Sequence, residues 1–186
     1  NVSITTSAVN NSRHLLMVFS LATAITVFFF ANFIQSILYH SSDPYISAVL
    51  QWCLPALIGY SLVQVYGTVM TATGNIVSFS IIVLISLLIN IVLNSLLIPS
   101  LGAKGCCIAA VISHGLCGIA CMLFTAQKTG TGLDVRSLLM YIFIAAALSG
   151  FYYLARLVEL QHWLQVVLAA FMVLLNNSKT IWLVIV

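Results

Sequence analysis

The sequence predicts an all-α membrane protein, a polytopic bundle of about six transmembrane helices. Its composition is 62% hydrophobic and only 5% charged, whereas soluble domains carry about 25% charged residues. No charge occurs between Asp43 and Lys104, so 60 consecutive positions are uncharged, and one membrane helix needs only about 20. The apolar stretches lack the alternation of a membrane β-barrel, which leaves helices as the spanning elements.

Charged residues, Pro, Gly and Asn divide the chain into six predicted spans. These spans are about Leu15–Leu38, Ile46–Ala72, Ile76–Ile98, Ala103–Ala126, Ser137–Ala155 and Leu160–Leu175. Pro55 lies inside the second span and is expected to kink it. The predicted organisation is a polar segment at 1–14, a six-helix bundle at 15–175 and a tail at 176–186. The chain has no initiator Met, and its last apolar run stops at Val186. We therefore expect the chain to be part of a longer protein.

The six cations predict an orientation and exclude one class of partner. Four are expected in loops on the side of the N-terminus and two on the opposite side, which favours a cytoplasmic N-terminus. The first group is Arg13, Lys128, Arg136 and Lys179; the second is Lys104 and Arg156. All six are placed outside the helix interiors. So few scattered cations cannot form a nucleic-acid interface.

Three predicted helices carry uncharged polar side chains at helical spacing. The rows are Asn32, Gln35, Ser36 and Tyr39; Tyr60, Gln64, Thr68 and Thr71; and Ser86, Asn90 and Asn94. Such rows either bond neighbouring helices to each other or border a pathway for a polar solute. The candidate pathway residues are Asn90, Asn94, Ser86, Gln64, Tyr60 and Asn32. We expect a pathway role for Asn90, and both interpretations stay open for Asn94.

The fourth helix carries a different pattern, a ridge of small residues at four-residue spacing. The ridge contains Gly105, Ala109 and Ser113 and continues to Cys117 and Cys121, which predicts close helix packing. His114, beside the ridge, is predicted to be a packing residue, with protonation as the alternative. The five cysteines lack metal-ligand spacing, and no catalytic motif occurs. The sequence therefore predicts a non-enzymatic protein without metal or cofactor.

Three segments, the first two separated by an apolar helix rich in Ile, Leu and Asn, resemble a known family. They are 66–75 (YGTVMTATGN), 97–105 (LIPSLGAKG) and 106–114 (CCIAAVISH). Over about residues 30–120 the chain is similar to polysaccharide flippases of the multidrug/oligosaccharidyl-lipid/polysaccharide exporter superfamily, especially bacterial O-antigen flippases. Cys106 and Cys107 replace the usual Ala pair of that family. The resemblance implies that these helices are the last six of a fourteen-helix, two-lobed inverted transporter.

The same resemblance implies a function and its partners. The implied activity is transfer of undecaprenyl-diphosphate-linked oligosaccharide repeat units across the bacterial inner membrane by alternating access. The expected partners are the lipid-linked oligosaccharide, membrane lipids and the missing N-terminal lobe. One alternative is a cation-coupled multidrug exporter of the same superfamily. Another is a membrane-embedded enzyme of glycan assembly, for which only Arg156, Glu159 and His162 approach a catalytic cluster.

Overall fold

The computed structural model describes residues 2–39, 43–129 and 135–157, and these residues form six helices. The helices are α1 (Val2–Tyr39), α2 (Pro44–Cys53), α3 (Ala56–Ala72), α4 (Ile76–Leu101), α5 (Ala103–Thr129) and α6 (Val135–Leu157). No strand occurs in these described ranges. The predicted all-α architecture is confirmed.

Four stretches of the described chain are long and apolar enough to cross a membrane. They are Ser7–Ser36, Pro44–Ala72, Ile76–Leu101 and Ala103–Lys128. A shorter apolar stretch, Leu139–Leu154, lies within α6 and corresponds to the fifth predicted span. The sixth predicted span, 160–175, and the tail at 176–186 lie outside the described residues. The protein is a polytopic bundle of membrane helices.

The second span consists of two helices, α2 and α3, which meet at Pro55 as the sequence predicts. The helix is interrupted at Leu54 and Pro55, and backbone bonds from Leu57 to Leu54 (3.0 Å) and from Ile58 to Pro55 (3.1 Å) tighten the turn. Proline causes the break because it has no N–H to donate to the preceding turn and its ring crowds that turn.

Two helices extend beyond the spans predicted within them. The first helix begins at Val2 rather than at Leu15, because the polar residues before Leu15 continue the helix and one of them, Arg13, finds partners on neighbouring helices. The helix of the third predicted span extends a few residues past Ile98. Helix α4 continues through Pro99 and ends at Leu101, and its cap Gly102 donates its N–H to the carbonyl of Ile98 at 2.8 Å. The positive φ of Gly102 (59°) turns the chain out of the helix, a conformation that glycine adopts readily.

Helix α5 lies between α3 and α4, and glycines bring the three backbones close together. A Cβ added at Gly105 would lie 2.5 Å from the carbonyl oxygen of Leu97 on α4. A Cβ added at Gly59 of α3 would lie 2.5 Å from the backbone nitrogen of Gly115, and one at Gly118 would lie 2.7 Å from the carbonyl oxygen of Gly59. Larger side chains at these positions would push the helices apart.

The described residues form two apolar cores. The larger core joins Tyr66 and Met70 of α3 to Cys117 and Cys121 of α5, with Phe79 of α4 packed against it. The second core joins α6 to α1. Its centre contains Phe30 and Tyr152, which contact edge to face with ring centroids 5.4 Å apart. The Tyr152 hydroxyl also hydrogen-bonds to Thr26 of α1 at 2.8 Å.

The substitution Gly59→Ala is expected to destabilise the bundle, because its new methyl group must separate α3 from α5. We expect a loss of about 1–3 kcal/mol in the free energy of unfolding, typical of overpacking. Gly150→Ala on α6 is the matched control, since a Cβ there meets no atom within 4 Å. Thermal unfolding of the two variants in detergent measures the difference. Equal melting temperatures would contradict the proposed close crossing.

Candidate functional site

The row of polar side chains on α4 bonds to α5. Ser86 Oγ donates to the carbonyl oxygen of Ser113 at 2.8 Å, and Asn90 Nδ2 donates to the Ser113 hydroxyl at 2.8 Å. Asn94 Nδ2 donates to Asn90 Oδ1 at 2.8 Å and extends the row by one turn. These contacts supply the interhelical bonds that the packing interpretation requires. A pathway role for the same three residues stays a prediction.

Asn94 also borders an open groove on α4. The groove has a volume of about 380 Å³ and is lined by Ile91, Asn94, Ser95, Ile98 and Pro99. The Oδ1 atom of Asn94 is buried and accepts no hydrogen bond from the described part of the chain. A buried acceptor without a donor costs free energy, so Asn94 is the least satisfied member of the row.

A second set of polar side chains forms an exposed face on α3. Tyr60 is 46% exposed, and Gln64 and Thr68 are also exposed. Gln64 Nε2 donates to the Tyr60 hydroxyl at 2.6 Å, and Thr68 Oγ1 donates to the carbonyl oxygen of Gln64 at 2.6 Å. Among the described residues, none of the three hydrogen-bonds to another helix. Their phenol, amide and hydroxyl groups therefore remain accessible to a polar ligand.

His114 lies between the α4 row and the α3 face. Its Nδ1 lies 3.5 Å from the hydroxyl of Ser113, the residue that receives the Asn90 amide. Its ring centroid lies 6.2 Å from that of Tyr60, with the rings tilted by 36°. The imidazole of His114 therefore lies next to Tyr60 of the α3 row and next to Ser113, to which the α4 row bonds.

On α1, Asn32 and Gln35 have different surroundings. Asn32 is exposed, and no hydrogen bond links its side chain to α3 or α4 within the described residues. Gln35 is only 1% exposed and accepts a hydrogen bond from the hydroxyl of Ser47 on α2. At least part of this row therefore holds α1 against α2.

The small-residue ridge of α5 is buried along its length. Relative exposure is 0% for Ala109 and Cys121 and 1% for Ser113, and Gly105 and Cys117 are also buried. The ridge therefore positions the site, because Ser113 can receive bonds from α4 only where the backbones approach closely.

A polar cluster around Arg13 was missed by sequence reasoning, which placed this residue in a loop. Arg13 lies within α1 and is only 2% exposed. One guanidinium nitrogen donates to the Tyr66 hydroxyl of α3 at 3.1 Å, and another donates to Ser137 Oγ of α6 at 3.3 Å. Beside it, the Tyr141 hydroxyl hydrogen-bonds to His14 at 2.7 Å. The partners lie 53 and 124 positions from Arg13, so no local pattern could reveal them.

The remaining electrostatic features of the described residues are sparse. Asp43 is their only acidic side chain, and it caps α2 by accepting the backbone N–H of Tyr45 at 2.8 Å. No three His, Cys, Asp or Glu side chains among them could together hold a metal ion. The described spans thus offer neutral hydrogen-bonding groups and one buried cation.

These features define the chain as a multi-pass helical membrane protein with neutral polar side chains inside its spans. A model of the MatE family matches residues 1–96. Because this match covers more than half of the 186 residues, the chain belongs to the MatE family. Members of this family are transporters of the multidrug/oligosaccharidyl-lipid/polysaccharide exporter superfamily rather than enzymes. No curated protein and no solved structure gives a significant match to the chain.

The family assignment confirms the predicted superfamily and the transporter class. It covers α1, α2, α3 and most of α4. The family assignment does not identify which of the superfamily's substrates this chain transports.

Removing the Tyr66 hydroxyl is expected to destabilise the bundle, because the buried Arg13 guanidinium loses an acceptor. A hydrogen bond to a charged group contributes about 1.5–3 kcal/mol, and Tyr66→Phe should lower the free energy of unfolding by a similar amount. Tyr153→Phe is the control, since Tyr153 is 60% exposed on α6. Chemical unfolding followed by circular dichroism compares them. A Tyr66→Phe variant as stable as the control would show that the guanidinium does not depend on this bond.

Proposed function

We propose that this chain is part of a flippase that moves undecaprenyl-diphosphate-linked oligosaccharide repeat units across the bacterial inner membrane. The chain would line one side of the pathway of the sugar head group, and a second lobe outside this chain would line the other. Alternating access would then arise from movement of the two lobes about the pathway.

The exposed polar face of α3 carries this proposal. Tyr60, Gln64 and Thr68 lie within the Pro44–Ala72 span, where exposed polar groups in contact with lipid would be costly. All three are uncharged donors and acceptors, which suit sugar hydroxyls. An aromatic ring next to an amide also suits the mixed apolar and polar faces of a sugar ring.

The diphosphate of the proposed substrate requires positive charge, and the α3 face has none. Arg13 is enclosed by α1, α3 and α6 and bonds to their hydroxyl groups, so we assign it to helix packing. In the proposed transporter, the cationic part of the pathway belongs to the other lobe.

Gln64→Leu is expected to reduce export with little change in the amount of folded transporter. Gln64 is exposed and its amide bonds only within α3, so few contacts with other helices depend on it. Sugar groups left unpaired at the new side chain cost about 1–3 kcal/mol each, which corresponds to a loss of about tenfold for each 1.4 kcal/mol. The measurement is surface-displayed oligosaccharide per molecule of transporter in bacterial membranes.

Ser80→Ala is the matched control for Gln64→Leu, because Ser80 is exposed on α4 and bonds only to its own helix. The control should export at the normal rate. Export of a cationic drug in place of the oligosaccharide, by a transporter with an intact α3 face, would favour the multidrug-exporter alternative. Unchanged oligosaccharide export per molecule in Gln64→Leu would refute a role for the α3 face.

Asn90→Leu tests whether the α4 row also borders the pathway. Loss of the bond to Ser113 should lower stability by about 0.6–2 kcal/mol, whatever the role of Asn90 in transport. As a proposed pathway residue, Asn90 should in addition lower export per molecule of folded transporter. Melting temperature and oligosaccharide display are measured on the same membranes. An unchanged ratio of export to folded protein would leave Asn90 as a packing residue.

A further inference from the structure

Two cysteines that are far apart in the sequence meet where α2 ends. Cys53 is the last residue of α2, and Cys107 lies within the second turn of α5. Helix α2 packs against α5, and the side chains of the two cysteines make a hydrogen-bonding contact. Both are free thiols. Each sulfur therefore faces a second sulfur on a neighbouring helix.

The packing on either side holds this pair of cysteines in place. On one side, Lys104 Nζ of α5 lies 5.7 Å from the centroid of the Trp52 ring of α2. On the other side, the backbones cross so closely that a Cβ added at Gly59 would lie 2.5 Å from the nitrogen of Gly115. These two contacts follow each other in the same order along both spans, so the span that contains α2 and α3 runs parallel to α5. The cysteine contact lies between them in both sequences and shares their register.

The two thiols differ in their access to a reagent. Cys53 is exposed, whereas Cys107 is only 9% exposed. The residue before Cys53 is Trp52, whose ring lies under the ammonium group of Lys104. A lysine of a membrane protein keeps its ammonium group in water or among the lipid head groups, where tryptophan is also enriched. The end of α2 therefore lies near the aqueous interface, and a reagent dissolved in water meets Cys53 before Cys107.

The other cysteines of the described residues do not combine an exposed and a buried thiol on two helices. Cys106 is exposed although its neighbour Cys107 is buried, because adjacent side chains of a helix point to different sectors. Cys117 and Cys121 lie one turn apart on the same helix and are 6% and 0% exposed. Buried cysteines of that kind are unreactive. Cys53 and Cys107 are therefore the pair whose surroundings suit oxidation.

We propose that Cys53 and Cys107 form a reversible oxidation site, at which a peroxide joins α2 to α5 by a disulfide. The Cys53 sulfur attacks one peroxide oxygen and the O–O bond breaks, which leaves a sulfenic acid on Cys53 and releases water or an alcohol. The Cys107 sulfur then attacks the Cys53 sulfur, the S–O bond breaks, and water leaves as the disulfide forms. The two sulfurs together lose two electrons and two protons, which the peroxide takes up. A dithiol reductant restores both thiols by exchange.

The disulfide would lie next to the break in the second span. Cys53 directly precedes the interruption at Leu54 and Pro55. A broken helix can change its angle at the break, which is a common basis of movement in transporters. A covalent bond from Cys53 to α5 would fix the end of α2 and so restrict this movement. The expected arrest of transport rests on the proposed function, whereas formation of the disulfide does not.

Oxidation is tested first, without any transport substrate. The complete transporter in native membranes is treated with hydrogen peroxide, its remaining thiols are blocked with N-ethylmaleimide, and its peptides are identified by mass spectrometry. A peptide pair joined through Cys53 and Cys107 should appear after peroxide and disappear after dithiothreitol. Cys106→Ser should still form this pair, and Cys107→Ser should instead accumulate a Cys53 sulfenic acid that dimedone traps. Absence of the joined pair in the unsubstituted protein overturns the proposal, and so does a bond from Cys53 to Cys106 in its place.

The effect on transport is tested in vesicles that contain the complete transporter and a labelled lipid-linked oligosaccharide. Peroxide should abolish transfer by the unsubstituted protein, and dithiothreitol should restore it. Cys53→Ser should keep its transfer in peroxide, whereas the control Cys106→Ser should lose it. Transfer that continues after complete formation of the disulfide overturns the arrest. Absence of transfer before any peroxide is added would instead refute the proposed function, while the joined peptides still decide whether the oxidation site exists.

Discussion

The small-residue face of α5 is the constraint on which the described structure depends. Polar groups inside a membrane must find partners within the protein, and they do so only where helices approach closely. Gly105 lets α4 approach α5 closely, while Gly59 and Gly118 bring α3 against α5. Ser113 lies between these contacts, so its hydroxyl and carbonyl both receive bonds from α4.

The described spans contain two kinds of uncharged polar side chain, which are chemically alike but differ in what they contact. Ser86 and Asn90 bond across helices and stabilise the bundle, whereas Gln64 and Thr68 bond only within α3 and remain exposed. In the proposed function, side chains of the second kind would exchange partners with the solute, while bonds of the first kind hold the helices together. His114 lies between the two kinds, because it is next to Ser113, which receives the bonds of Ser86 and Asn90, and next to Tyr60, which accepts the Gln64 amide.

Arg13 shows how a charge can be accommodated inside the bundle. Its guanidinium bonds to hydroxyl groups from α3 and α6, so three helices meet at one side chain. Burial of a cation is costly. The Nε of Arg13 is buried without a partner among the described residues, so the bonds of its two terminal nitrogens to α3 and α6 are what stabilise the cation there. Tyr152 and Thr26 reinforce the same pair of helices farther along. The cluster thus fixes the position of α1 and α6, whereas α5 fixes that of α3 and α4.

The sequence by itself determined the membrane class, most of the spans, the break at Pro55 and the resemblance to the exporter superfamily, because apolar length, proline and local motifs are properties of contiguous residues. It also determined which side chains share a helix face, since helical spacing is fixed. Tertiary structure alone decided what those faces contact. The roles of Ser113 and Arg13 depend on residues between 23 and 124 positions away, and local sequence carries no information about such pairs. The start of α1 was misjudged for the same reason: Arg13 resembles a loop residue until its partners on α3 and α6 are known.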